Sequence, residues 1–356
     1  MTLCGCFCIM APHGIGCRIA LLSHNWKRYQ LSMVIDWKYR MNNPSRLTLL
    51  LALIACIASG TDAQARSKAC PEPILAMTYN IRLDTPIDGE NAWNHRRDNL
   101  AGQILVLRPA LLGMQEVLPN QRADLEAALQ RYDFVGGGRD DGQLAGEASP
   151  IAIDRSQFRT LSSGTFWLSP TPDIPSIGWD AAFRRVVTWA HVERRTDGAK
   201  LLVVNTHWDH VGAVARSESG KQIARWIEAN SRPRESIVLL GDFNTDAKDP
   251  AIIRMVQDAH LEPAATQGIS DLAAPSQSSF NNFDPLPAPG TVIDHVFVSS
   301  ELDIANSMVI AQNFNGRVAS DHFPVVALIN LPISTKSSRG RVDASPGKPD
   351  AGTHCK

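Results

Sequence analysis

Short apolar runs recur along the chain, and most of them stop abruptly at polar residues. Ser236-Ile-Val-Leu-Leu, for example, runs straight into GDFNTD (241–246). A short apolar run bounded by polar signals predicts a buried strand. Residues i and i+2 of a strand face the same side, so Asp242 and Asn244 are expected to point together beyond its end. The same pattern predicts strands at 74–80 (ILAMTYN), 110–116, 150–160, 164–168, 186–193, 201–205, 291–298 and 325–329. Leu100, Ile104 and Leu107 fall at helical spacing and predict a helix over 96–108, stopped by Pro109. Asn120 is expected to cap a second helix reaching Arg131, with Leu125 and Leu129 on one face, and a third is expected over 216–230.

Between these elements lie a Gly-rich loop at 136–149, expected to be a mobile surface loop, a Pro-rich loop at 169–178 and a long irregular stretch at 263–290. The Gly-rich loop lacks G-x-x-x-x-G-K-[ST], so it is not a P-loop. After Pro332 the chain turns rich in Ser, Gly, Pro and Lys, and a disordered tail is expected over 333–356. With no repeat and no clear linker, one domain is expected over 70–332. Pattern alone defines its class only as α plus β.

Composition sharpens the picture at the N-terminus. The 356 residues are 44% hydrophobic and 20% charged, as expected of a globular chain with room for a sizeable core. Residues 47–58, LTLLLALIACIA, are too short for a membrane span, which needs roughly 20 residues. Preceded by Arg46 and followed by Ala63-Gln64-Ala65, they read as the core of a signal peptide over 41–65, with Met41 as the start. Export to the periplasm or beyond follows, with no transmembrane span after processing. Residues 1–40 then read as a mis-called upstream extension; their CGCFC lacks the paired spacing of a zinc site. Leu53-Ile54-Ala55-Cys56 offers an alternative, a lipobox anchoring the protein through Cys56. Cleavage after Ala65 leaves Cys70 and Cys355, either as a disulfide or as two free thiols. It also leaves 29 Lys and Arg against 34 Asp and Glu, a net charge of −5. That balance disfavours strong duplex nucleic-acid binding, which relies on clustered cations.

The strand ends supply a set of chemical groups: Asn80, Glu116, His207, Asp242, Asn244, Asp294, Asp321 and His322. Singly, each reads as a turn or cap residue. Together MTYNIR (77–82), GMQE (113–116), NTHWDH (205–210), GDFNTD (241–246), IDHVFVS (293–299) and SDHFPVVA (320–327) resemble the endonuclease/exonuclease/phosphatase (DNase I-like) superfamily. The motifs run in the family's order over nearly the whole of 75–330. The resemblance implies an α+β fold, a four-layer αββα sandwich of two packed mixed β-sheets flanked by helices. It also implies a monomer that hydrolyses a phosphoester with Mg2+ (or Mn2+).

A phosphodiester is anionic and has a poor leaving group, so cleavage needs charge neutralisation, an activated water and in-line geometry. The resemblance assigns metal binding to Asn80, Glu116, Asp242 and Asp321; hard oxygen donors suit Mg2+. It makes Asp242 the orienter of the attacking water and Asn244 a holder of phosphate or nucleophile. Asp294 and His322 resemble the family's Asp–His pair, with His322 either a general base or a phosphate-binding cation. His207 matches a phosphate-contacting His that either stabilises the oxyanion or protonates the leaving oxygen. Arg185, in RRVVTWA, is a candidate grip on a non-scissile phosphate, with a surface salt bridge as the alternative. Asp209 and His210 are candidates to shape a substrate pocket or bind another ion, or are structural. Trp93, Arg96 and Arg97 are candidates to border the cleft, with packing as the alternative for Trp93.

One departure narrows the function. Arg82 stands where many nucleases of the family carry an acid, and IR-x-D with NAW-x-x-RR resembles a bacterial subgroup near nocturnin-type proteins. The expectation is a divalent-metal-dependent phosphoester hydrolase of the cell envelope, on a small phosphomonoester, phosphodiester or phosphosugar. The alternatives are a secreted nuclease or RNA exonuclease, and a catalytically inactive binding module of the same fold.

Overall fold

The computed structural model describes residues 5–11, 14–20, 31–32, 72–264, 278–286 and 289–332. The chain divides into two compact units, Met1–Ala69 and Cys70–Lys356. In the first, β1 (Gly5–Ala11), β2 (Gly14–Ala20) and β3 (Leu31–Ser32) form an antiparallel sheet where the sequence pattern showed no strand period. The signal-peptide reading of 41–65, Cys56, Cys70, Cys355 and the tail after 332 lie outside the described residues.

The second unit begins with β4 (Ile74–Asn80), α1 (Trp93–Leu107), β5 (Leu111–Gln115), α2 (Pro119–Ala128), β6 (Tyr132–Val135) and β7 (Ile151–Asp154). It continues through β8 (Phe158–Trp167), β9 (Val186–Arg194), β10 (Lys200–His207), α3 (Ala213–Asn230), β11 (Glu235–Asp242) and α4 (Pro250–Asp258). It closes with β12 (Leu261–Pro263), β13 (Asp294–Ser299), β14 (Asp303–Val309) and β15 (Val325–Asn330). Two six-stranded mixed sheets result, ordered β14-β15-β4-β5-β7-β6 and β12-β13-β11-β10-β9-β8.

Period-two patterning sorts the side chains of each strand into two cores. In β4, Ile74 and Ala76 enter a cluster shared by both sheets, while Met77 and Tyr79 enter another with Leu100, Ile104 and Leu125 from α1 and α2. In β10, Leu201 and Val203 join the shared cluster, while Leu202 and Val204 pack with Ile223, Ile227 and Met255 from α3 and α4. Three apolar clusters therefore separate four layers, helix, sheet, sheet, helix. The two parallel pairs, β4–β5 and β10–β11, are the pairs whose connections cross over through α1 and α3.

A polar tie crosses the shared core. Gln115 Nε2 donates to Asn205 Oδ1 at 2.7 Å, and Asn205 Nδ2 donates to the carbonyls of Met114, Ser149 and Pro150. The close approach requires Gly113, where a Cβ would lie 2.6 Å from Asn205 Oδ1.

Several boundaries differ from the sequence reading for local reasons. The strand expected over 150–160 breaks after Asp154, whose Oδ1 accepts from the Ser156 amide at 2.9 Å and forms a turn; β8 then runs on to Trp167. Asn120 does not cap α2. The helix starts at Pro119, Gln121 Oε1 accepts from the Leu118 amide, and Asn120 bonds Asp84 instead. The Gly-rich loop is bonded onto itself, with the Arg139 amide donating to the Glu147 carbonyl at 2.9 Å and Asp140 to Ala145 at 3.0 Å.

Candidate active site

Strand register lines up three chemical groups at one end of the second sheet. Asp294 on β13 is the antiparallel partner of Asp242 on β11, and Asp242 is the parallel partner of His207 on β10. Neighbouring strands lie about 4.8 Å apart, so the three form a row. The other sheet faces this row with Asn80 at the end of β4, Glu116 one residue past β5, and Asp321 and His322 just before β15. β15 is antiparallel to β4, which sets its start beside the end of β4.

Hydrogen bonds knit the two sheets together here. Asn80 Nδ2 donates to Glu116 Oε1 at 3.0 Å and to Asp242 Oδ2 at 2.9 Å. His322 Nδ1 pairs with Asp294 Oδ2 at 2.8 Å, while its Nε2 lies 3.8 Å from Asp242 Oδ2. His207 Nε2 lies 3.6 Å from the same Asp242 oxygen. The ligand atoms of Asp242, Asp294 and His322 all fall within 4.8 Å of one another. Glu116 at φ 62° and Asn244 at φ 53° occupy the left-handed region, costly for a non-glycine residue and often found at functional sites.

Burial and charge separate the two imidazoles. Burial opposes protonation of His322, but the charges of Asp294 and Asp242 and the bond to Asp294 prevail and hold its pKa well above the ordinary value. Burial, reinforced by the positive charge of Arg185, drives His207 well below it. The two buried imidazoles are thus pushed in opposite directions, His322 toward its charged form and His207 toward its neutral form. Burial and the Asp294 charge push Asp242 up to about 7 against the pull of His322 and the Asn80 donor. Burial, with the Glu116 charge, also raises Asp321.

Arg82 stands over the carboxylates. It forks onto Asp88 at 2.9 and 3.0 Å while lying 3.8 Å from Asp321 Oδ2 and 4.0 Å from Glu116 Oε2.

The remaining candidates take more specific places. Arg185 is 5% exposed and is no surface salt bridge: its Nε donates to Asp209 Oδ2 at 3.3 Å and its Nη2 meets His210 Nδ1 at 3.1 Å. Asp209 accepts in addition from the amides of Val211, Gly212 and Phe183. With both oxygens engaged and 1% exposure, it positions Arg185 and does not present a face to a substrate. Asn244 donates from Nδ2 to the Trp208 carbonyl at 2.9 Å, which leaves one amide hydrogen for a ligand. Trp93 is buried and bonds Asp124, so it is packing and not a cleft wall. Arg97 pairs with Asp98 and Asp124.

Arg96 has a role the sequence did not reveal. Buried and without a carboxylate partner among the described residues, it donates to the carbonyls of Ile81, Arg82, Leu83, Asn91 and Ala319. It therefore clamps the segment after Asn80 to the segment before Asp321. Phe280 also went unread. It is half exposed and meets the His322 ring edge-on at 5.1 Å.

Fold and site together define a class of phosphoester hydrolases: the chain belongs to the Endonuclease/Exonuclease/phosphatase family, which matches residues 77–322. A solved mannosyl-6-phosphatase of Bacteroides thetaiotaomicron VPI-5482 is 32% identical, with TM-score 0.68, covering 72% of this chain and 99% of that one. The human Nocturnin catalytic domain with bound sulfate anion shares the fold at 17% identity and TM-score 0.59, over 73% of this chain and 94% of that one. An uncharacterized protein of Acanthamoeba polyphaga mimivirus is 26% identical over 249 residues, 66% of this chain and 91% of that one. Among the described residues, no helix is long and apolar enough to cross a membrane.

Proposed function

We propose that the protein is a divalent-metal-dependent hydrolase of small phosphoesters, with a phosphosugar as the preferred class, acting in the cell envelope. The observation that carries this reading is the joining of Glu116 and Asp242, from opposite sheets, through the Asn80 amide beside the His322–Asp294 pair. The mannosyl-6-phosphatase relative supports the substrate class, and the signal-peptide pattern at 41–65 supports the location.

The donor set fits Mg2+ or Mn2+. Arg82 lies within 4.0 Å of both Glu116 and Asp321, so the two carboxylates face one cation, and burial with the Glu116 charge raises Asp321 against the pull of His322, Arg82 and Arg96. Glu116 and Asp321 would hold the ion, with Asn80 beside them. All three offer hard oxygen donors. When bound, the ion supplies Lewis-acid neutralisation of the phosphoryl oxygens.

The protein's own groups divide the rest of the work. Asp242, poised near neutrality, takes the proton of the attacking water. His322, cationic and oriented by Asp294, binds a phosphoryl oxygen. Neutral His207 donates a hydrogen bond toward the leaving oxygen, which takes a proton from solvent and departs as the alcohol while Asp242 returns its proton to solvent, and the spare Asn244 amide hydrogen supports the phosphoryl group. The geometry of this intact set argues against a binding-only role.

The test is release of phosphate by the purified full chain with Mn2+ from a panel of hexose phosphates, nucleotides, phosphodiesters, phospholipids and single-stranded RNA. Turnover led by phosphomonoesters supports the reading. Turnover confined to RNA or lipid contradicts the substrate class, and none at all contradicts the activity.

A further inference from the structure

Next to the catalytic row lies a wall that the chemistry above does not use. Thr206 pairs with Val187, so antiparallel register carries Arg185, just before β9, to the same end of the sheet as His207. The row Asp294, Asp242, His207 is thus continued by Arg185 and the residues packed on it. Phe183 is the exposed aromatic of this wall, 47% accessible. Its ring stacks on His210 at 6.0 Å and 19°, and the Arg139 guanidinium sits over it at 4.9 Å. The Gly-rich loop that carries Arg139 is tied down by its own backbone bonds, so the arrangement is held from both sides.

In-line displacement places the leaving group opposite the attacking water. With the water at Asp242 and the leaving oxygen at His207, the leaving group extends toward Arg185 and Phe183. Each guanidinium of this wall has a carboxylate partner. Arg139 pairs with Glu147 at 2.6 Å, Arg184 with Asp140 at 3.2 Å and Arg185 with Asp209 at 3.3 Å. Each guanidinium of this wall is thus already engaged by a carboxylate, and a second phosphate would have to displace one of these pairs to gain a bidentate grip. What it does offer is an apolar ring edge among guanidinium donors, carboxylate acceptors and the His210 imidazole.

We propose that Arg139, Phe183 and His210 form the leaving-group subsite, and that it takes a neutral polyhydroxylated ring, a sugar, and not a second anionic group. This rests on the phosphoester-hydrolase reading and adds to it the residues that select the alcohol. Phe183 and Arg139 select the substrate, while the reacting atoms belong to the row beside them.

The experiment compares kcat/KM of the full chain with Mn2+ on mannose 6-phosphate, on ethyl phosphate and on fructose 1,6-bisphosphate, for wild type, Phe183→Ala and Phe183→Leu. The expected result is a wild-type preference for mannose 6-phosphate over the other two. Phe183→Ala is expected to lower the ratio of mannose 6-phosphate to ethyl phosphate by ~10-fold, carried mainly by KM, with Phe183→Leu intermediate. A ratio unchanged in both variants, or a wild-type preference for the bisphosphate, overturns the subsite while leaving the hydrolase reading in place. Absence of hydrolysis of all three overturns both.

Discussion

Asn80 and Asp242 stand on different sheets, 162 residues apart in sequence, and meet through one hydrogen bond of 2.9 Å that ties the two halves of the site together. The same Asn80 nitrogen also serves Glu116, so removing it takes a donor from two facing carboxylates at once and leaves them the amides of Leu83 and Asn244. Asn80→Ala is expected to destabilise the fold by about 1–3 kcal/mol in urea denaturation and to lower kcat by ~10²-fold. A variant with wild-type kcat would show that the bridge is only scaffolding.

Arg96 is the clamp beneath that bridge. Its carbonyl partners flank Asn80 on one side and Asp321 on the other. Arg96→Ala leaves these carbonyls unpaired in the interior, and a loss of about 3 kcal/mol or more in chemical denaturation is expected. Arg96→Lys, which cannot reach so many carbonyls at once, should recover only part of it.

Gly113 tests the packing between the sheets. A methyl group there meets Asn205 Oδ1 at 2.6 Å and Leu240 Cβ at 2.9 Å. Gly113→Ala should therefore lower stability by about 1–3 kcal/mol, read as a fall in thermal midpoint. An unchanged midpoint would mean that the sheets can separate without loss.

Asp209 sets a pH dependence. Burial alone would raise its pKa, but the amides of Gly212, Ala182 and Val211 and the Arg185 guanidinium prevail and bring it to about 2. A carboxylate depressed in the folded state contributes stability that is present above about pH 4 and is lost as pH falls toward 2. Asp209→Asn is expected to be less stable at pH 7 and to show a shallower acid decline in urea midpoints measured from pH 7 to 2. Parallel wild-type and variant curves would refute this.

What the sequence revealed follows from where information is local. Asn80, Glu116, His207, Asp242, Asp294 and the Asp321-His322 pair each end or flank a short apolar run, so polarity alone marked them, and register then had to bring them together. From sequence Arg96 reads only as a candidate to border the cleft, because the carbonyls it clamps come together only in the folded chain. For Asp209 the sequence left a pocket role and a structural role open, since only the folded chain shows both oxygens already engaged. β14 escaped because it is an edge strand, half exposed, with little alternation to read. The four-layer arrangement lay in the family resemblance, not in the periodicity.

The central claim is one metal-assisted centre assembled from both sheets. Its most direct test is phosphate release from a phosphomonoester by the full chain, with Mn2+ and then with chelator, for wild type, Glu116→Ala and His322→Ala. The account predicts that chelator abolishes turnover, that added Mn2+ or Mg2+ restores it, and that each substitution lowers kcat by ~10²-fold or more. Turnover that survives both chelator and the two substitutions would contradict it.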